Sequence, residues 1–179
     1  MDQKWRVLSS AYVVDSKWMR LRKDTLELRN GVVIDEYYVR ETGGFSCVFA
    51  LTDDSHVVLV RQFKYGIGRT VLELPSGFID DGESPHDAAV RELAEETGYV
   101  ADSIEPVRTL VPDPTNSTTL MHLFLARGAR RKLAQHLDPT EDIEIETVSL
   151  PELHEKVRNG EIESATQVAA IYMVLDMLA

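Results

Sequence analysis

The sequence predicts an α+β chain in which a β-sheet carries few helices and is preceded by an N-terminal antiparallel β extension. Strand signals outnumber helix signals, and the helices are unevenly spread, which disfavours a regular β-α-β alternation. Residues 5–40 alternate apolar and polar in short runs around Asn30 and Gly31, a strong two-residue hairpin signal. One helix, 84–97, has both of its ends written in the sequence.

In chain order, the hairpin joins residues 25–29 to 32–40 within a three-stranded antiparallel opening. Further strands are expected at 46–51, 57–62, 71–74, 107–111, 119–126 and 143–150, separated by Asp53 and Asp54, by residues 66–68 and by proline-rich turns. In the helix at 84–97, Ser84 can cap, Pro85 suits the first helical position, Asp87 lies in the first turn and Gly98 can terminate. Helices are also expected at 151–159, stopped by Gly160, and at 165–178, opened by Ser164 or by Ala165 and Thr166.

At 179 residues the chain suits one domain, or one domain with a short extension. A net charge of −11 with no Lys/Arg block argues against binding to nucleic acid or to an anionic membrane. A polyanionic substrate would need metal to be admitted. The first ten residues lack an apolar signal core and the longest apolar run, 168–175, is too short to span a bilayer, so a cytoplasmic protein is expected. Cys47 is the only cysteine, which excludes an intrachain disulfide, and its apolar neighbours Phe45, Val48 and Phe49 suggest a buried structural thiol. The five histidines are scattered without ligand spacing.

The most informative stretch is GFIDDGESPHDAAVRELAEETGY, residues 77–99. Glu92 and Glu96 are four apart and Glu95 is three from Glu92, so all three carboxylates project into roughly one sector of the helix. Without cations they repel one another. Clustered oxygen-only donors suit Mg2+ or Mn2+, hard ions that keep several waters and bridge to phosphates. Arg91 falls beside the cluster, where a bidentate guanidinium can hold Glu83 or Glu95 in place. A solvated acidic helix face is the other reading of such a string.

The full spacing is Gly77, five residues, Glu83, seven residues, Arg91-Glu92-Leu93, one residue, Glu95-Glu96, one residue, then Gly98-Tyr99. It resembles the box of the Nudix hydrolases, with Tyr99 where that family usually has an aliphatic residue. The resemblance implies an α/β/α sandwich on a mixed sheet, and it spans roughly 46–150 of this chain. Gly77, Glu83 and Gly98 match the frame of the box. By the same resemblance Glu92 and Glu96 bind metal, Glu95 shares or orders the shell, and the Ser76 carbonyl contributes at the turn.

The stretch VVLVRQFKYGIGRTVLELPSGFIDDGE and the tail GEIESATQVAAIYMV resemble the ADP-ribose pyrophosphatase branch. That likeness implies that residues 1–42 are a dimerisation element and 43–179 the hydrolase domain, giving a homodimer. Residues 140–144 match the branch's acidic loop, with Glu141 approaching the metals. Members often carry a catalytic base two residues before that glutamate, where this chain has Pro139. Asp138, Glu141 and Asp142 are therefore the candidates for activating water. A second departure is the run 112–119, with Pro112 and Pro114, where many members have a glycine-containing loop. Asn116 and Ser117 there can hydrogen-bond a sugar, or the run is a plain rigid turn.

Arg61 and Lys64 are candidate diphosphate contacts, Lys64 matching a substrate-contacting position of the branch, and Phe78 is a further candidate at the turn. Trp18 and Tyr37 either stack on a base or pack in a dimer core. The reading implied is a divalent-metal-dependent pyrophosphohydrolase in which Glu95, Glu141 and Arg91 serve catalysis. Its small-molecule substrate is ADP-ribose or a related nucleoside diphosphate sugar. Alternatives are hydrolysis of nucleoside triphosphates or dinucleoside polyphosphates, and nucleotide binding without turnover.

Overall fold

The computed structural model describes residues 4–179. They fall into two compact units, one running to Gly44 and taking in Val111–Leu120, the other comprising Phe45–Leu110 and Met121–Ala179.

In the first unit β1 (Arg6–Asp15), β2 (Arg20–Glu27) and β3 (Val33–Glu41) form an antiparallel sheet in that order. The β2–β3 turn is one residue longer than the expected hairpin. Leu28 N donates to the Val32 carbonyl at 2.8 Å and Gly31 N to the Leu28 carbonyl at 3.0 Å, so Arg29, Asn30 and Gly31 make the loop. Gly31 has φ +81°, the left-handed residue that follows a type I turn in three-residue hairpins. Asp24, buried, accepts from Ser10 Oγ at 2.6 Å and from Arg22 Nε at 2.9 Å, pinning the sheet from within. All ten residues of β1 are exposed, among them Val7, Leu8, Tyr12, Val13 and Val14.

The run read as either a sugar-contacting loop or a plain rigid turn, 112–119, is stapled to β3. Asp113 Oδ1 accepts from Thr115 N and Asn116 N at 3.2 and 3.1 Å, which closes the turn. Arg40 N then donates to the Asn116 carbonyl at 2.8 Å and Thr118 N to the Arg40 carbonyl at 3.1 Å. The Asn116 amide donates to the Tyr38 carbonyl at 2.8 Å, and Ser117 Oγ lies 2.8 Å from Thr119 Oγ1. Both side chains considered for a sugar thus have partners within the unit.

The second unit is a mixed sheet between helices. Its elements are β4 (Phe45–Thr52), β5 (His56–Lys64), β6 (Arg69–Glu73), β7 (Ser76–Phe78), α1 (Pro85–Thr97), β8 (Tyr99–Val100), β9 (Ser103–Leu110), β10 (Met121–Arg131), β11 (Ile143–Ser149), α2 (Leu150–Arg158) and α3 (Ala165–Leu178). The sheet order is β11-β5-β4-β10-β8, with β6 on β5, β7 on β4 and β9 on β10. Only β4 and β10 run parallel. Alternation along β4 divides the core: Cys47 and Phe49 pack with Leu153 of α2 and Ala170, Ile171 and Val174 of α3. Val48 and Ala50 pack on the other face with Ala89 and Leu93 of α1. Helices therefore cover both faces, as the α/β/α expectation required.

The differences from the expected elements have local causes. β9 starts at Ser103 rather than 107, with Pro106 inside it; it pairs only with β10, and an edge strand tolerates the missing N–H. β10 runs past 126 to Arg131 through a bulge at Gly128, φ +65°. β7 and β8 are too short to leave a periodic signal. Cys47 is fully buried, and burial pushes its thiol well above the ordinary range. Among the described residues no helix is long and apolar enough to cross a membrane.

Candidate active site

Helix α1 is punctuated as its sequence requires. Ser84 Oγ accepts from Asp87 N at 3.1 Å, Pro85 opens the helix, and Gly98 ends it at φ +71° with its N–H on the Ala94 carbonyl at 2.8 Å. The chain enters this helix from β7, which lies against it so closely that a side chain at 77 would meet the Glu92 carboxyl. A Cβ there would lie 2.1 Å from the Glu92 carboxyl carbon and Oε1. Gly77→Ala is expected to displace Glu92 and to cost about 1–3 kcal/mol, the range of overpacking changes. Urea unfolding of the variant checks the value.

Arg91 is the hub of the box. Its Nε and Nη2 hold the two oxygens of Glu83, each at 2.8 Å, and Nη2 also donates to the Phe78 carbonyl at 2.9 Å. Its Nη1 donates to Glu92 Oε1 at 2.7 Å and to Glu95 Oε2 at 3.1 Å. This bidentate geometry, with Asp80 N donating to Glu83 Oε2 at 3.0 Å, draws the Glu83 carboxyl down to about 2, the Arg91 hydrogen bonds being the largest cause.

Glu92 and Glu96 stand in the opposite condition. They are 8% and 3% exposed, and burial is the first cause raising the pKa of each. Glu96 is pushed up to about 8; the Ser76 N–H, 2.9 Å from its Oε2, opposes the rise, the charges of Glu92 and Glu141 add to it, and Lys64 opposes it weakly. For Glu92 the Arg91 hydrogen bond opposes the rise, while Glu95 and Glu141 add to it. The helix thus carries buried carboxylates whose charged state lacks enough positive charge nearby, and oxygen-only donors in that condition fit a hard divalent cation. Among the described residues no three His, Cys, Asp or Glu side chains already converge on one point; Glu92 and Glu95 lean on Arg91.

The other residues singled out by the sequence are variously placed. Lys64 Nζ is 3.2 Å from Glu73 Oε2. Glu73 was not anticipated; at the end of β6, between Leu72 and Leu74, it reads as ordinary alternation. Arg61 shares the face of Val57 and Leu59, away from α1, where its Nη2 meets Glu146 Oε2 at 2.6 Å and Lys156 Nζ joins Glu146 Oε1 at 3.0 Å. Phe78 exposes its ring at the turn. Glu141 Oε2 accepts from Asp138 N at 2.9 Å and its own N–H returns to the Asp138 carbonyl at 2.9 Å, closing a tight acidic turn. Gln167 of α3, also unanticipated, accepts from Leu74 N at 3.0 Å just before Ser76 and Gly77. In the N-terminal unit the Trp18 ring is 83% exposed under Lys17 Nζ, while Tyr37 takes Trp5 edge-on at 5.9 Å and donates to the Thr115 carbonyl at 2.6 Å.

Known proteins resemble this chain along nearly its whole length. A methanol dehydrogenase activator from Bacillus methanolicus is 28% identical over 95% of this chain and 92% of its own. An ADP-ribose pyrophosphatase from Bacillus subtilis (strain 168) is 29% identical over 93% of this chain and 90% of its own. The crystal structure of an ADP compounds hydrolase superposes with a TM-score of 0.88 at 25% identity, covering 98% of this chain and 95% of that one. Residues 5–39 match the nucleoside diphosphate sugar hydrolase N-terminal domain. Residues 42–168, which hold the mixed sheet and its glutamate-bearing helix, match the NUDIX domain, and the chain belongs to the Nudix hydrolase family.

Proposed function

We infer that the protein is a divalent-metal-dependent pyrophosphohydrolase that cleaves ADP-ribose, or a related nucleoside diphosphate sugar, to a nucleoside monophosphate and a sugar phosphate. The observation that carries this reading is the buried pair Glu92 and Glu96 in a chain that also matches a nucleoside diphosphate sugar hydrolase N-terminal domain. Glu92, Glu96 and Glu141, with the Ser76 carbonyl, would hold the metal, Mg2+ or Mn2+, and Glu95 would share or order the shell. Bound there, such an ion neutralises a diphosphate and lowers the pKa of a water for in-line attack.

The chain's own groups do the rest. Arg91 orients Glu92 and Glu95 while Glu83 anchors Arg91 from the far side. Lys64 meets the diphosphate as a point charge, and Phe78 borders the turn. Arg61, paired with Glu146 on the face away from α1, would reach the diphosphate only by leaving both that partner and that face. Water activation falls to Glu141 ahead of Asp138 and Asp142, because Glu141 is the residue that matches the acid of the branch it resembles. Residues 1–42 serve dimerisation, and Trp18 or Tyr37 stacks on the base, supplied across a two-fold interface.

Incubation with ADP-ribose and Mg2+ should yield AMP and ribose 5-phosphate, and a phosphatase-coupled screen of nucleotide sugars, triphosphates and dinucleoside polyphosphates ranks the substrates. Preferential turnover of the last two classes overturns the nucleotide-sugar reading. Metal binding has its own signature. Because Glu96 titrates near 8 in the folded protein and near 4.5 when unfolded, the folded state holds more protons between those values. Without divalent ions, stability therefore falls as pH rises through that window. A cation that binds the charged carboxylate reverses the loss, so Mg2+ should raise Tm more at about pH 9 than at about pH 5.5. An equal shift at both, measured by scanning calorimetry, contradicts the assignment of Glu96.

A further inference from the structure

Between β10 and β11 the chain runs from Lys132 to Asp142 without helix or strand, and this segment carries Glu141. A loop of that length has no reason to hold one carboxylate at a fixed distance from a helix unless something ties it down. The ties are at the C-terminal end of α1, where helix geometry leaves carbonyls without internal partners. The Gly98 carbonyl accepts from Lys132 N and Leu133 N, both at 3.0 Å, and the Glu95 carbonyl accepts from His136 N at 2.9 Å. The Glu96 carbonyl is met by a side chain: Gln135 Nε2 donates to it at 2.8 Å, and the same nitrogen donates to the Ile143 carbonyl at 3.1 Å.

Gln135 therefore joins three things at once. One hydrogen goes to the helix at a box residue, the other to the first residue of β11, and its own backbone lies in the loop. Glu141 lies between Gln135 and Ile143, so the amide closes a ring of chain around the acidic turn of Asp138 and Glu141. Backbone ties fix the loop near His136, and β11 fixes it at Ile143, where that residue pairs with Gln62. The Gln135 amide joins these two anchors directly and so sets the span that residues 136–142 have to cross.

We propose that Gln135 is a positioning residue that sets the distance of Glu141 from Glu92 and Glu96 by clamping the loop between the end of α1 and the start of β11. The proposal rests on the reading of Glu141 as a metal-holding acid. Gln135 touches no substrate; it acts through Glu141.

The test is a double-mutant cycle read by Mn2+ binding in electron paramagnetic resonance, with thermal unfolding recorded for every variant. Gln135→Leu keeps the volume and removes both hydrogens. It is expected to weaken Mn2+ binding about tenfold and to lower kcat by a similar factor, the scale of losing a group that orients a metal ligand. KM for ADP-ribose should stay within about twofold, since the substrate contacts are elsewhere. Glu141→Gln should weaken Mn2+ binding to a similar degree, and adding Gln135→Leu to it should cost nothing more. Gln135→Met replaces the leucine variant if that one fails to fold.

Unchanged Mn2+ affinity in Gln135→Leu, multiplying losses in the double variant, or no Mn2+ binding by the unaltered protein each overturn the proposal. Absence of ADP-ribose turnover by the unaltered protein, with the binding cycle behaving as stated, sinks the substrate reading and leaves Gln135 in its role.

Discussion

Glu96→Gln should lower turnover at least about 100-fold while leaving the fold intact, because it removes one negative charge from the metal site at almost constant shape. The glutamine carbonyl can still accept from Ser76 N, the one hydrogen bond that Glu96 makes through its side chain. The folded protein gains from the change where the carboxylate was costly. Glu96 is 3% exposed and its ionisation is opposed by burial, so above about pH 8 the metal-free variant should melt higher than the unaltered protein. Lower activity with higher metal-free Tm is a combination that a packing defect does not produce. Wild-type turnover at saturating Mg2+ excludes Glu96 from the metal site.

Deleting residues 1–40 is the second large effect expected. A three-stranded sheet needs a covered apolar face to be stable, and here its outer strand shows ten exposed residues, with Val7 57% and Val13 50% accessible. A second copy of the chain is the cover proposed for that surface. The unaltered protein should therefore run as a dimer in light scattering, and the truncated one as monomer or aggregate. The deletion also removes Tyr37, Tyr38 and Arg40, leaving the 111–120 segment without its hydrogen bonds to β3. KM for ADP-ribose should rise at least about tenfold through loss of base stacking. A monomeric full-length protein, or an unchanged KM after truncation, contradicts the dimer or the shared site respectively.

Helix α1 was legible because its signals are local: a serine cap, a proline, periodic small residues and a terminal glycine lie within fifteen positions. The partnership of Arg91 with Glu95 was legible too, since helical spacing alone brings 91 beside 95, while that with Glu83, which precedes the helix, followed from the spacing of the box. What stayed hidden depends on pairing across the sheet. Arg61 reads as a free cation until β11 is set against β5, which brings Glu146 to the same face. β7 reads as a glycine-rich turn because three residues have no period, and only the register of Ser46 on Gly77 makes it a strand. Gln135, in a polar stretch without pattern, has its role fixed by the carbonyls of Glu96 and Ile143, which no side-chain code announces.

The stapling of 111–120 to β3 also bears on which positions of this unit tolerate change. Two of its ties run from a side chain to a backbone atom: the Tyr37 hydroxyl to the Thr115 carbonyl, and the Asn116 amide to the Tyr38 carbonyl. The receiving residues lend only their main chain, and both expose their side chains. Positions 38 and 115 can thus be randomised in a library without untying the loop, whereas 37 and 116 have to be kept. Diversity and scaffold are interleaved residue by residue, so a selection run on 38 and 115 explores new surface chemistry on a backbone that holds still.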